Sequence, residues 1–271
     1  MKYLIFLFSL FFNLQLIAQT TTVCTFNIKF ENPSEGVHQW GNRKDQILKF
    51  IKIEDLDIIG IQEVVHSQIK YLEEGLEEYD RIGVARDDGK SKGEYSPIFY
   101  KKDRYSILDS ATFWLSPNPD IPAKAWDAAL PRVCTWARFV DLKTNDSILV
   151  LNTHFDHVGE KARANSVELI LSKIEELDHN GKVILMGDFN LEPATAPIQK
   201  IVNSDLKDAF ATDLNLGPVG TYNAFKIGEN YDRRIDYVFY QGFKIKSYKN
   251  YSLRIQDTFL SDHFPVLVEF E

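Results

Sequence analysis

Cysteine is scarce in this chain: 271 residues contain two, Cys24 and Cys134. So small a set excludes a disulfide-stapled scaffold, and the pair lacks the repeated spacing of a cysteine-based zinc site. Positive charge is also in deficit. The formal net charge is −8, and a field of that sign does not favour polyanions such as duplex DNA, although a local basic cleft stays open. Low-complexity tracts, fixed-period repeats and Pro/Gly-rich linkers are missing, which argues for one compact domain.

Long apolar runs are absent from all but the first residues, "MKYLIFLFSLFFNLQLIAQ". One early Lys2, a short apolar core and the small Ala18 resemble a secretory signal peptide more than a membrane span, because no stop-transfer charges follow. The expectation is a signal peptide over 1–18, a single domain over 19–271 and a periplasmic or extracellular location. A retained anchor is the alternative. In an oxidising compartment Cys24 and Cys134 would be free to pair, yet both lie in strand-like runs, "VCTFNI" and "RVCTWARF", where buried free thiols are an equal reading.

What is present is a succession of β-rich segments. Strand-like runs cover 21–30, 56–64, 96–102, 105–115, 132–142, 147–155, 182–189, 233–241, 243–252 and 264–271. Amphipathic helical patterns fall between some of them: "RKDQILKFIK", with Ile47, Leu48, Phe50 and Ile51 on one face, "HSQIKYLEEGLEEY" and "EKARANSVELILSKIEEL". Many strands with few helices predict a two-sheet α/β sandwich with helices on the outer faces.

Several strand ends carry polar residues. In "VILMGDFN" the apolar run 183–186 leads through Gly187 to Asp188 and Asn190, which share one face because strand side chains alternate. Asn27 follows "VCTF", Glu63 follows "DIIGIQ", His154 closes "LVLNTH", Asp236 sits in "RRIDYVF", and Asp262 and His263 stand before the last strand. Each alone has a plain structural explanation: a turn residue, a carboxylate at a helix N-terminus, a core histidine with satisfied nitrogens.

Together, in order, "FNIKF", "IQEV", "LNTHFDH", "GDFN", "RIDYVF" and "SDHFPV" resemble the endonuclease/exonuclease/phosphatase superfamily of deoxyribonuclease-I-like phosphoesterases. The resemblance covers nearly all of the chain after the leader. It implies a four-layer α/β sandwich, two mixed sheets face to face with helices outside, and a site at one edge of the sheets. Phosphoester hydrolysis must activate water and offset charge on the non-bridging oxygens. Glu63 and the amide oxygen of Asn27 suit Mg²⁺, with Mn²⁺ as the alternative ion, and by resemblance Asp262 completes that site or helps to bind a second ion. Asp188 orients and deprotonates the attacking water, Asn190 holds the water or a phosphate oxygen, His263 contacts the phosphate with Asp236 fixing its tautomer, and His154 is a second phosphate donor.

Substrate identity is less legible. Lys29 stands where abasic-site nucleases of the family carry an acidic residue, and His154 where they carry an aromatic one; both departures argue against a repair nuclease. Arg86, with Lys90, Lys92 and Glu94 in the same stretch, and Lys124, Trp126 and Arg132 in the next lie in inter-strand loops. They are read either as a substrate rim, with Trp126 for stacking, or as ordinary surface with Trp126 as a packing anchor. The expected substrate is a phosphate ester: nucleic acid, sugar phosphate, inositol phosphate or phospholipid headgroup. No obligate protein partner is evident, and a monomer is expected. Two other classes compete. A non-catalytic binder of phosphorylated glycans or lipid headgroups would need no general base, and a glycosidase would need two acids spaced across a sugar and no metal.

Overall fold

The structure, a computed structural model, describes residues 20–178, 181–255 and 257–271; the expected signal peptide lies outside them. The chain runs through β1 (Thr21–Asn27), a 3₁₀ turn (Pro33–His38), α1 (Trp40–Ile53), β2 (Ile58–Gln62), α2 (His66–Gly75), β3 (Tyr79–Ile82), β4 (Ile98–Lys101), β5 (Tyr105–Trp114) and β6 (Val133–Asp141). It continues through β7 (Ser147–His154), α3 (Glu160–Leu177), β8 (Val183–Asp188), α4 (Ala196–Val202), β9 (Lys207–Asp208), β10 (Asn215–Leu216), β11 (Asp236–Gln241), β12 (Ile245–Asn250), β13 (Arg254–Ile255), β14 (Thr258–Phe259) and β15 (Val266–Phe270). One seven-stranded sheet has the order β10-β12-β15-β1-β2-β4-β3 and a six-stranded sheet the order β5-β6-β7-β8-β11-β9. Both are mixed, with parallel pairs β1–β2 and β7–β8 set among antiparallel ones. No described helix is long and apolar enough to cross a membrane.

Alternation along the central strands sorts side chains into layers. In β1 Cys24 and Phe26 face α1 and α2, while Val23 faces the other sheet. In β8 Val183 and Leu185 meet α3 and α4, and Ile184 and Met186 fill the space between the sheets. The result is the expected four-layer sandwich. The parity also settles the cysteines: Cys24 and Cys134 lie under helices on opposite outer faces, with both sheets between them, so they are buried free thiols and the disulfide alternative falls.

The same parity carries polar groups onto the inter-sheet face at one end. Continuing in steps of two, Val23 leads to Asn27, Val150 to His154, Met186 to Asp188 and, in the reverse chain direction on antiparallel β11, Val238 to Asp236. Just beneath these residues the sheets are tied by buried amides. Gln62 Nε2 donates to Asn152 Oδ1 (2.6 Å) and Thr25 Oγ1 (3.0 Å), and Asn152 Nδ2 donates to the carbonyls of Ile61 (2.9 Å) and Pro97 (2.8 Å).

The second helical pattern stops earlier than its periodicity suggests. It ends at Gly75, and Tyr79, the last residue of that run, opens β3 against β4, its hydroxyl donating to the carbonyl of Leu56. A sheet edge offering backbone partners overrides the local amphipathic signal there.

Candidate active site

Asp188 lies at the centre of the polar end. Its register partners are His154 on β7 and Asp236 on β11, so pairing alone brings three predicted residues together. Asp188 Oδ1 accepts the backbone N–H of Asn190 (2.9 Å), and Oδ2 accepts Asn27 Nδ2 (3.0 Å). The same Oδ2 is 3.6 Å from His154 Nε2 and 3.8 Å from His263 Nε2. Burial, reinforced by the Asp236 carboxylate, raises the Asp188 pKa far above the usual carboxylate range, against the opposing pull of His263.

The predicted dyad is formed: His263 Nδ1 and Asp236 Oδ2 are 2.8 Å apart, both residues buried. Burial by itself lowers the imidazole pKa, but Asp236 and Asp188 outweigh it and the net shift is upward, to about 10. Asp236 is steadied by its backbone N–H, which donates to Thr221 Oγ1 (3.1 Å).

Glu63 and Asp262 line the same cleft, of about 410 Å³, with the Lys29 ammonium between them, 3.7 Å from Glu63 Oε2 and 3.3 Å from Asp262 Oδ2. Two carboxylates drawn around one cation are oxygen donors suited to a hard divalent ion. A tighter acidic group, Asp188, Asp236 and His263, also has ligand atoms within 4.8 Å of one another. Its imidazole is held protonated beside Asp236 and has no lone pair to offer, so Glu63 and Asp262 fit a metal better. Asn27 sits between the carboxylates: its Nδ2 donates to Glu63 (3.1 Å) and Asp188 (3.0 Å), and its Oδ1 accepts the backbone N–H of Lys29 (3.1 Å) with a second lone pair left for an ion. Lys29, Glu63 and Asn190 all leave their strands with positive φ, 62°, 58° and 50°. Such left-handed exits are costly for non-glycine residues and concentrate at functional sites.

Of the predicted rim, Arg132 reaches the cleft, as does Glu94 from the first of the two loops. Arg86 is buried behind it, bonded to Glu94 (2.6 Å), and Lys124 and Trp126 are exposed outside the lining; Trp126 neither stacks over the cleft nor anchors the core. Arg132 Nε reaches Asp156 Oδ2 (3.3 Å), its Nη1 meets His154 Nδ1 (3.0 Å) and its Nη2 meets His157 Nδ1 (3.0 Å). Asn190 Nδ2 donates to the Phe155 carbonyl (3.1 Å) and stands 3.2 Å from His154 Nε2.

His157, Tyr222 and Arg233 also line the cleft, beyond the residues that the sequence singles out. His157 sits inside "LNTHFDH", within reach of sequence reasoning; the others come from loops whose path the sequence does not display. Arg43 is a further omission. It is fully buried, and its guanidinium donates to the carbonyls of His38 (2.5 Å), Ile28 (2.8 Å) and Leu260 (2.6 Å), clipping the exit of β1 to the segment before Asp262. Its signal was legible, a charge four residues before Ile47 on the apolar face of α1.

Comparison with known proteins agrees with this geometry. An endonuclease/exonuclease/phosphatase from Bacteroides vulgatus superposes with a TM-score of 0.89 at 42% identity, covering 93% of this chain and 99% of the other. A mannosyl-6-phosphatase from Bacteroides thetaiotaomicron gives 0.87 at 38% identity over 93% and 99% of the two chains. An uncharacterized protein of Acanthamoeba polyphaga mimivirus is 28% identical across 89% of this chain and 96% of its own length. The human Nocturnin catalytic domain, at 18% identity and a TM-score of 0.75, shares the fold. The family model described as Endonuclease/Exonuclease/phosphatase matches residues 24–263, and the chain belongs to that family of phosphoesterases.

Proposed function

We propose that this protein is an exported, Mg²⁺-dependent hydrolase of phosphate esters, with a small phosphomonoester such as a sugar phosphate as its preferred substrate. The observation that carries the reading is the convergence on Asp188 Oδ2 of Asn27, His154 and His263 at the floor of the cleft. A water held there loses a proton to Asp188 as its oxygen bonds to phosphorus; the ester P–O bond breaks and the alcohol leaves after taking up a proton from solvent. The raised pKa of Asp188 makes it a stronger base than an ordinary carboxylate. His263, held charged by Asp236, and the N–H of His154 offset charge on the phosphate oxygens. A divalent ion on Glu63 and Asp262 supplies Lewis-acid stabilisation of the same oxygens when bound. The preference for a small phosphomonoester is supported by the cleft's modest volume and by the likeness to the mannosyl-6-phosphatase; export is supported by the leader-like first residues.

The test is hydrolysis of 4-nitrophenyl phosphate, mannose 6-phosphate and a bis-aryl phosphodiester, with and without chelator. Turnover should vanish with chelator and return with Mg²⁺. Asp188→Asn should lower kcat by at least about a hundredfold while leaving KM nearly unchanged, because an amide holds water but cannot take its proton. Chelator-insensitive turnover, or an Asp188→Asn enzyme with ordinary kcat where chemistry limits the rate, would sink the mechanism.

A further inference from the structure

The motif "LNTHFDH" contains two residues that the reaction does not use, Asp156 and His157. Asp156 is buried and saturated. Its oxygens accept the backbone N–H groups of Ala129 (3.0 Å), Leu130 (3.2 Å), Val158 (3.1 Å) and Gly159 (2.8 Å), and the Nε–H of Arg132 (3.3 Å). It therefore fixes the plane of the Arg132 guanidinium, whose two outer nitrogens then meet His154 Nδ1 and His157 Nδ1, each at 3.0 Å.

A guanidinium has donors and no acceptor. Both Nδ1 atoms must accept, so each imidazole carries its proton on Nε2. At His154 one contact competes, Asn190 Nδ2 at 3.2 Å from Nε2, but the charge-assisted bond from Arg132 to Nδ1 is the shorter and the stronger, and the carboxylate nearest Nδ1, Glu94, is 3.8 Å away, beyond hydrogen-bond length. The downward shift of its pKa, from burial first and then Arg132 and Arg86, agrees with a neutral ring. One fork thus orients two neutral N–H donors: His154 beside Asp188 on the floor, and His157, solvent-exposed, farther out in the same cleft.

We propose that Arg132 is a positioning residue that fixes His154 and His157 as Nε2–H donors, and that the His157 N–H binds an oxygen of the substrate's alcohol part. The second half rests on the phosphoesterase reading above. With the reacting phosphate held by His263 and His154 over the water on Asp188, the atoms that follow outward belong to the ester's alcohol. Besides the His157 donor, the cleft lining includes an acceptor, Glu94, and a cation, Arg233. Such a mixture suits hydroxyl groups, which both give and take hydrogen bonds.

The tautomers are read without turnover, by ¹⁵N imidazole NMR of the full chain with Mg²⁺. Both rings should show a protonated Nε2 and a bare Nδ1, and Arg132→Met should turn each into a tautomer mixture. A proton on either Nδ1 in the wild-type protein overturns the first half, and that spectrum decides it even if the variant fails to fold. For the second half, mannose 6-phosphate and inorganic phosphate are titrated into Asp188→Asn. His154 should respond to both and His157 to the sugar phosphate only, and adding His157→Ala should weaken sugar phosphate relative to inorganic phosphate by on the order of tenfold, the worth of one hydrogen bond. An equal response of His157 to both ligands, or an unchanged affinity ratio, refutes it. Failure of the phosphoesterase reading would show separately, as absent hydrolysis by the wild-type enzyme.

Discussion

His263 is buried and held between two carboxylates, so its protonation governs both catalysis and stability. Its pKa lies above the ordinary imidazole value because the pull of Asp236 and Asp188 exceeds the cost of burial. If the imidazolium is the active form, activity falls as pH rises through that raised pKa, and Asp236→Asn should move the alkaline limb of kcat/KM to lower pH. Stability follows the same sign. A group that binds its proton more tightly when folded contributes fully below its unfolded pKa of about 6.5 and loses that contribution as pH rises to the folded value. Metal-free wild-type protein should therefore lose more stability between pH 6.5 and pH 10 than metal-free Asp236→Asn, as followed by urea unfolding. An alkaline limb that does not move in the variant would mean the dyad does not set the charge of His263. The sequence disclosed this pair because each member closes or precedes a strand in its own motif. It did not disclose that Arg132 is spent on two histidines instead of substrate, since that depends on the fork lying between residues that are distant along the chain.

Among the elements, β8 does most to shape the site. It is paired on both sides, with His154 opposite Asp188 on β7 and Asp236 opposite Asp188 on β11. Gly187 makes that packing possible: a Cβ there would stand 2.0 Å from the Thr153 carbonyl oxygen, which is backbone and cannot step aside, and its φ of +150° is itself rare for other residues. Gly187→Ala should destabilise the protein by about 3 kcal/mol and depress kcat as well, by prising Asp188 from His154. Denaturant unfolding and kinetics on the same preparation check it, and unchanged values for both would show that β7 and β8 can separate at no cost. The principal strands were legible because their apolar runs are bounded by turn residues. The two-residue strands, β3 and the short α4 were not, because their backbones are committed by tertiary neighbours more than by local pattern. Parity proved the most informative physical rule, since the alternation that buries Val23, Val150, Met186 and Val238 between the sheets also carries Asn27, His154, Asp188 and Asp236 to inner faces.

At the scale of the molecule, polar links join the two sheets at both ends of an otherwise apolar interior. Far from the site, Arg104 donates to Asp57 Oδ2 (2.5 Å) before β2 and to Asp141 Oδ2 (2.9 Å) at the end of β6, all three residues buried. Beneath the site the link is neutral, Gln62 to Asn152, and it lies one residue from Glu63 and two from His154. The two ends should respond differently to damage. Arg104→Met removes the cation shared by two buried carboxylates, leaving Asp57 with Lys101 and the Thr22 N–H and Asp141 with the Lys143 N–H, and should cost about 3 kcal/mol of stability, yet leave kcat and metal affinity near wild type, because nothing in the cleft touches it. Asn152→Ala removes one donor from each of the Ile61 and Pro97 carbonyls and one acceptor from Gln62, for about 1–3 kcal/mol, and should lower kcat disproportionately by loosening the floor on which Glu63 and His154 rest. Plotting log kcat against the unfolding free energy for both variants separates the effects: Arg104→Met should fall far along the stability axis and Asn152→Ala along the activity axis. Both points on a single line would mean that activity follows global stability alone and that the amide link has no special hold on the site.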